Sequence, residues 1–375
     1  MGLGSEEKSY IREHTSEGYE LLKELAQIPA PSNHEERRTE FCKNWLEKNG
    51  AKGVYVDSAG NVVYPHHVTT TNPVIVFMAH MDVVFPDETP LPWKEEGGRL
   101  CCPGVGDDTA NLVALLLSAR YVSERDLKPS DGCGVLFVCN TGEEGLGNLR
   151  GSRKICEDYG NRIKAFTSFD CTMDTIACRA VGSERFRVNV KTEGGHSYSC
   201  FGNPNAIAVM ADLIREIYEI SVPEGGKTTY NVGVIEGGTS VNTIAQEVHM
   251  LCEYRSDDAD SLDWMKARFA EIFSKKREGA VVSVEVVGLR PCERLNEEQK
   301  KVREEMLDFA KETLACITGK MPALVPISTD CNIPSVCYGT CFGAGAHTRE
   351  EYVERDSLGL GYEVALSGVL RYFSK

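Results

Sequence analysis

The chain has 375 residues, of which 42% are hydrophobic and 26% are charged, and its formal net charge is −15 at pH 7. This length predicts two domains with a sizeable core, and the composition is that of a globular protein. The acidic charge argues against nucleic acid and anionic membrane as partners. The opening MGLGSEEKSY lacks the apolar core of a signal peptide. No window approaches the roughly 18 apolar residues that span a bilayer, so we expect a cytoplasmic protein with reduced thiols.

The first 181 residues alternate helices with apolar strands. Apolar residues at helical spacing predict helices over 16–28 and 34–50. A third helix is predicted over 107–124, with Asp107 and Asp108 at its N-terminal cap. The predicted strands are NVVYP, PVIVFMAH, GVLFVCN and KAFTSFD. This order indicates an α/β fold with helices on both faces of a mainly parallel sheet.

The pattern changes at Gly182. Residues 182–292 read as strand, helix, strand, strand, helix, strand, which is the order of a ferredoxin-like α+β domain. From Glu293 the chain returns to a helix, a short strand in PSVCYGTCFG and a final helix in DSLGLGYEVALSGVLRYF. We therefore predict a discontinuous α/β domain, 1–181 and 293–375, that carries 182–292 as an inserted domain.

Polar residues that could bind a metal or take part in catalysis follow the predicted strands. They are His80, Asp82, Asp107, Glu143, Glu144, Asp170 and His347. Each lies at or beyond the carboxyl end of a strand, where open α/β sheets bind ligands. Two carboxylates about 4 Å apart repel by on the order of 4 kcal/mol at an effective dielectric of about 20, so such crowding requires raised pKa values or bound cations. Carboxylate and imidazole ligands suit a two-metal site for zinc, manganese or cobalt.

Each of these residues also has a plain structural interpretation. Adjacent glutamates are typical of a solvated loop, a His-x-Asp pair of a local hydrogen bond, and paired aspartates of a helix cap. Asp170 alone would be a surface turn, and His347 alone a loop histidine. Cys102, Cys171 and Cys331 are interpreted as small buried residues and not as ligands. The recurrence of the whole set at strand ends favours a metal site.

The order of the motifs resembles that of the two-metal aminopeptidase and aminoacylase family, which includes carboxypeptidase G, succinyl-diaminopimelate desuccinylase and tripeptidase T. The matching stretches are AHMD (79–82), PGVGDD (103–108), GEEG (142–145), SFD (168–170) and GAHTREEYV (345–353). The likeness covers nearly the whole chain and includes GGHSYSCFGNPNAI, EGGTSVNTIAQ and EYRSDD in the inserted domain. Two stretches depart from the family: DDT replaces the frequent DDK, and STDCNIPSV is shorter than in tripeptidase-like members.

The resemblance implies a set of metal ligands. Asp107 would bridge two divalent ions, and Asp108 is the alternative bridging residue. The other ligands would form one pair for each ion, His80 with Asp170 and Glu144 with His347. Zinc is the expected metal, with manganese or cobalt as alternatives.

The resemblance also implies roles around the metals. Asp82 would orient His80 through its other ring nitrogen, and Glu143 would be the general base and acid. His196 would stabilise the oxyanion, in its own or the neighbouring subunit. Substrate binding would fall to Asn242 and Arg255, the latter gripping a carboxylate.

The implied activity is hydrolysis of amide bonds in short peptides by a tripeptidase-like exopeptidase, with metal-activated water as the nucleophile. One alternative is an amidohydrolase that deacylates N-acyl amino acids. A more remote alternative is a non-catalytic binding protein on the same fold. The inserted domain would act as a lid and as the surface of a homodimer.

Overall fold

The computed structural model describes residues 2–332 and 335–374. The helices in this part are α1 (Ser5–Ala26), α2 (Glu36–Lys48), α3 (Ala110–Glu124), α4 (Arg150–Tyr159), α5 (Ala206–Tyr218), α6 (Ala259–Ser274), α7 (Glu297–Thr318) and α8 (Leu358–Leu370). The strands are β1 (Tyr55–Val56), β2 (Val62–His66), β3 (Val74–His80), β4 (Lys94–Glu96), β5 (Arg99–Cys101), β6 (Gly134–Asn140), β7 (Ile163–Phe169), β8 (Thr175–Ala180), β9 (Gly182–Thr192), β10 (Gly195–His196), β11 (Thr228–Gly237), β12 (Thr243–Ile244), β13 (Glu247–Ser256), β14 (Ala280–Arg290), β15 (Ala323–Ile327), β16 (Val336–Tyr338), β17 (Gly343–Ala344) and β18 (Tyr352–Glu354). Across the described residues, every helix is too short or too polar to cross a bilayer.

The chain forms two compact units. The main unit comprises Met1–Arg179 and Leu295–Lys375, and the inserted unit comprises Ala180–Arg294. These bounds lie two residues away from each predicted boundary, at 181/182 and at 292/293.

The main unit contains an eight-stranded sheet in the order β1-β2-β6-β3-β7-β16-β8-β15. Its centre, β6-β3-β7-β16, is parallel, and the flanking strands β2 and β8 run antiparallel to their neighbours. The carboxyl ends of the central strands therefore share one edge. The predicted mainly parallel α/β fold is confirmed.

Both faces of this sheet are covered by helices. Residues Ile75, Phe77 and Ala79 of β3 belong to the core that includes α1, α3 and α8. The alternate residues Val76 and Met78 pack on the opposite face in a cluster that includes α4. Because strand side chains alternate between faces, a strand buried on both faces needs a continuous apolar run, which is why VIVFMA is recognisable in the sequence.

A second, smaller sheet of the main unit has the order β17-β18-β5-β4 and is antiparallel. Tyr352 lies opposite Cys101, and Val353 lies opposite Leu100. This pairing brings the segment 345–351 next to 102–107. Strands of two or three residues, one of them made of Lys94–Glu96, carry too little apolar pattern to be predicted.

The inserted unit has a four-stranded antiparallel sheet in the order β11-β13-β9-β14. Leu213 of α5 and Met265 and Phe269 of α6 pack in one core with the alternate residues of these strands. The strand order and the two helices are those of the predicted ferredoxin-like domain.

Several predicted elements have different bounds in the structure. Helix α1 begins at Ser5 instead of residue 16, because Tyr10 and Ile11 are buried and the Tyr10 ring packs edge-on against Tyr121 at 4.8 Å. The predicted strand PSVCYGTCFG is reduced to Val336–Tyr338, and its residue 334 lies outside the described residues. Helix α3 begins at Ala110 instead of residue 107.

Candidate metal centre

One group of candidate ligands forms where β3 and β7 end. His80 is the last residue of β3, Asp170 follows β7, and Asp107 precedes α3. The Nε2 atom of His80 lies 3.1 Å from Oδ1 of Asp107. One ligand atom from each of the three residues lies within 4.8 Å of the other two, which is close enough for a shared cation.

A second group contains Asp107, Glu144 and His347, again with ligand atoms within 4.8 Å of one another. The Nε2 atom of His347 lies 3.0 Å from Oε1 of Glu144 and 3.2 Å from Oδ2 of Asp107. Asp107 therefore belongs to both groups and directs one carboxylate oxygen toward each histidine. A carboxylate that bridges two cations needs this arrangement.

The predicted helix cap at Asp107 and Asp108 is wrong. A π-helical turn, Val105–Thr109, precedes α3, and Asp107 within it has a non-helical backbone (φ −114°, ψ 85°). The carboxylate of Asp108 is buried, with Oδ2 accepting from the His80 main-chain N–H at 2.8 Å and Oδ1 from the Asn111 side chain at 2.6 Å. Since both Asp108 oxygens already have partners inside the protein, the geometry favours Asp107 as the bridging residue.

Asp82 fixes the position of the two adjacent glutamates. Its Oδ1 accepts from the Glu143 N–H at 3.0 Å, and its Oδ2 accepts from the Glu144 N–H at 2.9 Å and the Ser32 hydroxyl at 2.7 Å. Hydrogen bonds to a charged group contribute about 1.5–3 kcal/mol each. Glu143 and Glu144 are only 4% and 5% exposed, so the interpretation as a solvated loop does not hold.

Asp82 also lies beside the ring of His80. The Nδ1 atom of His80 is 3.0 Å from the main-chain oxygen of Asp82 and 3.5 Å from its Oδ1. The nearer acceptor for an Nδ1–H proton is thus the carbonyl. This contact leaves Nε2 facing Asp107 as a potential ligand atom.

Sequence reasoning missed Glu35, which holds the start of the glutamate turn. Its Oε1 accepts from the Gly142 N–H at 3.0 Å, and its Oε2 accepts from Nη2 of Arg150 at 3.0 Å. Gly142 has a φ of 64°, a value that favours glycine. A glutamate inside the charged run HEERR gives no indication in the sequence that it is buried.

The pKa values of the cluster show how the charges balance when no cation is bound. Burial, reinforced by Asp107, raises the pKa of Asp170 to about 7 and also raises that of Glu144. Hydrogen bonds to Asp107 and Glu144 raise the pKa of His347 to about 10. Burial opposes ionisation of Asp107, but hydrogen bonds from His347 and His80 lower its pKa overall. Protons therefore occupy positions that a cation would otherwise neutralise.

We expect the metal-free protein to lose thermal stability as the pH rises from about 4 to about 10. The folded-state pKa of Asp170 is about 7 against 3.8 for the free group, so its ionisation destabilises the fold between about pH 4 and about pH 7. The protonated His347 stabilises the fold below its ordinary pKa of 6.5, and this contribution is lost as the pH approaches about 10. Both effects have the same sign, and thermal melts of the chelator-treated protein across this pH range measure them.

The control for this pH dependence is Asp170→Asn, which removes one titrating carboxylate. Its melting temperature should fall less steeply between about pH 4 and about pH 7 than that of the parent. Equal slopes in the two proteins would exclude Asp170 as a source of the effect.

The donor set fits divalent transition metals. Both groups consist of carboxylate oxygens and imidazole nitrogens, the ligand types that zinc, manganese and cobalt accept. A cation in each group would also neutralise carboxylates that burial otherwise forces to share protons.

Comparison with known proteins shows the family of this chain. The sequence profile of Peptidase family M20/M25/M40 matches residues 76–371. The chain belongs to this family. Membership makes it a metal-dependent hydrolase of peptide or amide bonds, and the family predicted from the motif order is confirmed.

Three relatives place this M20 family member among known proteins. YqjE, an uncharacterised protein of Bacillus subtilis, is 27% identical over 286 residues, which cover 70% of this chain and 74% of YqjE. Carboxypeptidase G2 of Pseudomonas is 24% identical over 247 residues, which cover 64% of this chain and 58% of that protein. The crystal structure of a tripeptidase from Staphylococcus aureus superposes with a TM-score of 0.71 at 22% identity, covering 95% of this chain and 97% of that one, and shows the same fold.

The cysteines near the site of this M20 family member have protonated thiols. A hydrogen bond with Cys337 lowers the pKa of Cys171, but burial and the nearby carboxylates of Asp170, Asp107 and Asp108 together outweigh it and raise the pKa to about 11. Burial raises the pKa of both Cys102 and Cys331 to about 12. These pKa values apply without a metal, which would itself displace the thiol proton, so the interpretation of the three cysteines as packing residues stays a prediction.

Two predicted functional residues lie together in the inserted unit. His196 belongs to β10 and Asn242 lies just before β12, and these two strands pair. The main-chain oxygen of Asn242 accepts from the Ser197 N–H at 3.0 Å. Nδ1 of His196 accepts from the N–H groups of Tyr198 at 3.2 Å and Ser199 at 3.4 Å. In the neutral imidazole the proton is therefore on Nε2, which is available as a donor.

The third residue, Arg255, lies on β13 and is paired within the inserted unit. Its Nε and Nη2 atoms are 2.7 Å and 3.0 Å from the two carboxylate oxygens of Glu253. Arg185 also contacts this carboxylate at 3.2 Å. A substrate carboxylate that uses the same bidentate edge of Arg255 must replace Glu253, a requirement that the sequence did not reveal.

Proposed function

We propose that the protein is a two-metal exopeptidase that hydrolyses short peptides of two or three residues. The observation that carries this proposal is the sharing of Asp107 between two groups of candidate ligands, with Glu143 beside them. Glu143, His80 and Glu144 each offer a ligand-type atom within 4.8 Å of the others. Zinc is the metal proposed for both positions, because imidazole and carboxylate are its frequent protein ligands.

Each residue of the candidate centre has a proposed role. His80 and Asp170 would hold one ion, Glu144 and His347 the other, and Asp107 both. When bound, the two ions supply Lewis acidity that polarises the amide carbonyl and acidifies water. Asp82 fixes both glutamates through their main-chain N–H groups, so the ligand Glu144 and the base Glu143 keep a constant separation.

Glu143 would transfer the protons of the reaction. It would accept a proton from the attacking water and deliver it to the departing amine, a role that contributes about 10²- to 10⁴-fold in rate. It is buried, which keeps bulk water from competing for that proton. Glu143 would thus be a base held in a fixed position, and not part of a solvated loop.

The inserted unit would supply substrate contacts. Nε2–H of His196 would donate to the oxyanion, in its own or the neighbouring subunit, and Asn242 and Arg255 would bind the substrate. We propose that this unit acts as a lid and as the contact surface of a homodimer.

All fifteen cysteines are free thiols, which supports a cytoplasmic location.

A second candidate activity is deacylation of N-acyl amino acids. Arg255 favours it, because a guanidinium serves the carboxylate of an acyl amino acid as well as that of a peptide. The two activities differ in the group on the other side of the scissile bond, a free amine for a peptide and an acyl chain for the alternative. The non-catalytic alternative is disfavoured by the complete set of candidate ligands and base.

The test is a substrate panel with the zinc-, manganese- and cobalt-loaded protein. We expect kcat/KM for free di- and tripeptides to exceed that for N-acetyl and N-succinyl amino acids by at least about tenfold, a difference of about 1.4 kcal/mol. Each peptide is compared with its own N-acetylated form, so that only the amine changes. Chelator-treated protein is the control, and preference for the acylated compounds would favour the second candidate.

A further inference from the structure

A buried glutamate outside the predicted site holds the loop of the shared ligand. Glu351 lies immediately before β18 and is 2% exposed. Its Oε2 accepts from the Gly104 N–H at 2.7 Å, and its Oε1 accepts from the N–H groups of Gly106 and Asp107, both at 2.8 Å. One carboxylate thus gathers three main-chain donors of the turn that carries Asp107.

The loop itself is built for this close approach. Gly104 has a φ of 76°, and a Cβ atom there would lie 2.3 Å from a methyl group of Val83. A Cβ atom on Gly106 would lie 3.2 Å from Oε1 of Glu351. Both glycines therefore allow the backbone to bend around the carboxylate. N–H groups in such a turn have no helical carbonyl partners and need another acceptor.

The same glutamate connects the two loops of the candidate metal centre. It follows His347 in the segment between β17 and β18, and its main-chain oxygen accepts from the Cys102 N–H at 3.2 Å. Its main chain and side chain together tie the His347 segment to residues 102–107. Asp107 and His347, which lie 3.2 Å apart through Oδ2 and Nε2, are thereby held in register.

We propose that Glu351 is a positioning residue that keeps Asp107 where it can serve two metal ions. The proposal rests on the proposed two-metal centre and goes beyond it, because the Glu351 carboxylate binds main-chain N–H groups of the Asp107 turn and is not one of the candidate ligands. It acts through the main chain of Asp107. Displacing that main chain would move the one ligand that is common to both groups, so the binding of both ions would become weaker.

Two variants separate positioning from charge. Glu351→Gln keeps the length of the side chain but replaces one oxygen by an NH₂ group, which cannot accept from an N–H. Glu351→Asp keeps the charge but is one methylene too short to reach all three donors. If the negative charge alone mattered, the aspartate variant would behave like the parent.

Two matched controls use the same substitution elsewhere. Glu350→Gln changes an exposed neighbour in the chain. Glu184→Gln changes a buried glutamate of the inserted unit that accepts a hydrogen bond from Tyr254. The first reports the loss of a charge near the site, and the second the loss of a buried hydrogen bond far from it in the chain.

The experiment measures zinc binding to each folded, metal-free protein by competition with a chromophoric chelator. We expect both Glu351 variants to bind both ions about 10- to 100-fold more weakly than the parent, as is typical for residues that orient a ligand, and both controls to stay within about twofold. The visible spectrum of bound cobalt should change in the Glu351 variants and not in Glu184→Gln. A merely structural role would lower the melting temperature without altering either readout.

Two results would overturn the proposal. Parent-like zinc affinity and cobalt spectrum in Glu351→Gln would exclude the positioning role while leaving the two-metal centre intact. Absence of zinc binding by the parent would remove the centre itself, and the proposed function with it. Should the glutamine variant fail to fold, parent-like affinity in Glu351→Asp decides against positioning in the same way.

Discussion

Glu143→Gln is expected to lower kcat by about 10²- to 10⁴-fold while leaving the fold and the metal content unchanged. Glutamine has nearly the same shape but cannot accept a proton at neutral pH. One contact that positions residue 143 is the hydrogen bond from its main-chain N–H to Oδ1 of Asp82, at 3.0 Å, and this bond survives the substitution. Steady-state rates on the preferred peptide, circular dichroism and metal content of the purified variant test this expectation.

The neighbouring variant Glu144→Gln is the comparison. Oε1 of Glu144 lies 3.0 Å from Nε2 of His347, so this change should release metal and not only slow turnover. A Glu143→Gln protein that retains most of the parental kcat would remove Glu143 from the mechanism. A variant that loses metal instead would make Glu143 a ligand.

Asp107→Asn is expected to abolish activity and to weaken the binding of both ions. The loss of affinity should exceed the factor of about 10 to 100 that is typical of residues that only orient ligands. The reason is that Asp107 directs separate oxygens toward His80 and His347, and an amide offers one neutral oxygen in place of two charged ones. Competition with a chromophoric chelator gives the affinities, and elemental analysis gives the number of ions per chain.

The matched change, Asp108→Asn, should retain two ions. It places an NH₂ group against either the His80 N–H or the amide of Asn111, which now bond the two Asp108 oxygens. We expect a loss of about 1–3 kcal/mol in the free energy of unfolding from the unsatisfied buried donor. The opposite pattern, with metal lost in Asp108→Asn and kept in Asp107→Asn, would reverse the assignment of the bridging residue.

The sequence predicted the part of the site that the main sheet assembles. Buried parallel strands are recognisable as apolar runs, and parallel strands place their carboxyl ends on one edge. That logic locates His80 at the end of β3 and Asp170 after β7 without any knowledge of their distance. It does not locate His347, whose position depends on the two- and three-residue strands β17 and β18.

The resemblance to the family named Asp107 as the bridging ligand, but the pattern of residues alone did not predict the backbone that directs it, nor the role of Glu351. Two aspartates before a helix usually cap it, and only the packing of the preceding turn against β3 directs one of them to the histidines. Charged residues are almost always exposed unless paired, so a glutamate in HTREEY gives no indication that it accepts three main-chain N–H groups. Contacts with main-chain atoms leave no mark on the pattern of side chains.

The inserted unit has a consequence for the order in which the protein is made. Strand β16 lies beside β7, with Val336 opposite Thr167, yet all of Ala180–Arg294 is translated between them. The first and last strands of the inserted unit are adjacent, with Ser183 opposite Arg290. The inserted unit can therefore fold by itself while the rest of the chain is still being translated. Until β16 is made, the edge of β7 on that side is unpaired and can bind wrong partners, so the sheet is completed only after the whole inserted unit has been translated.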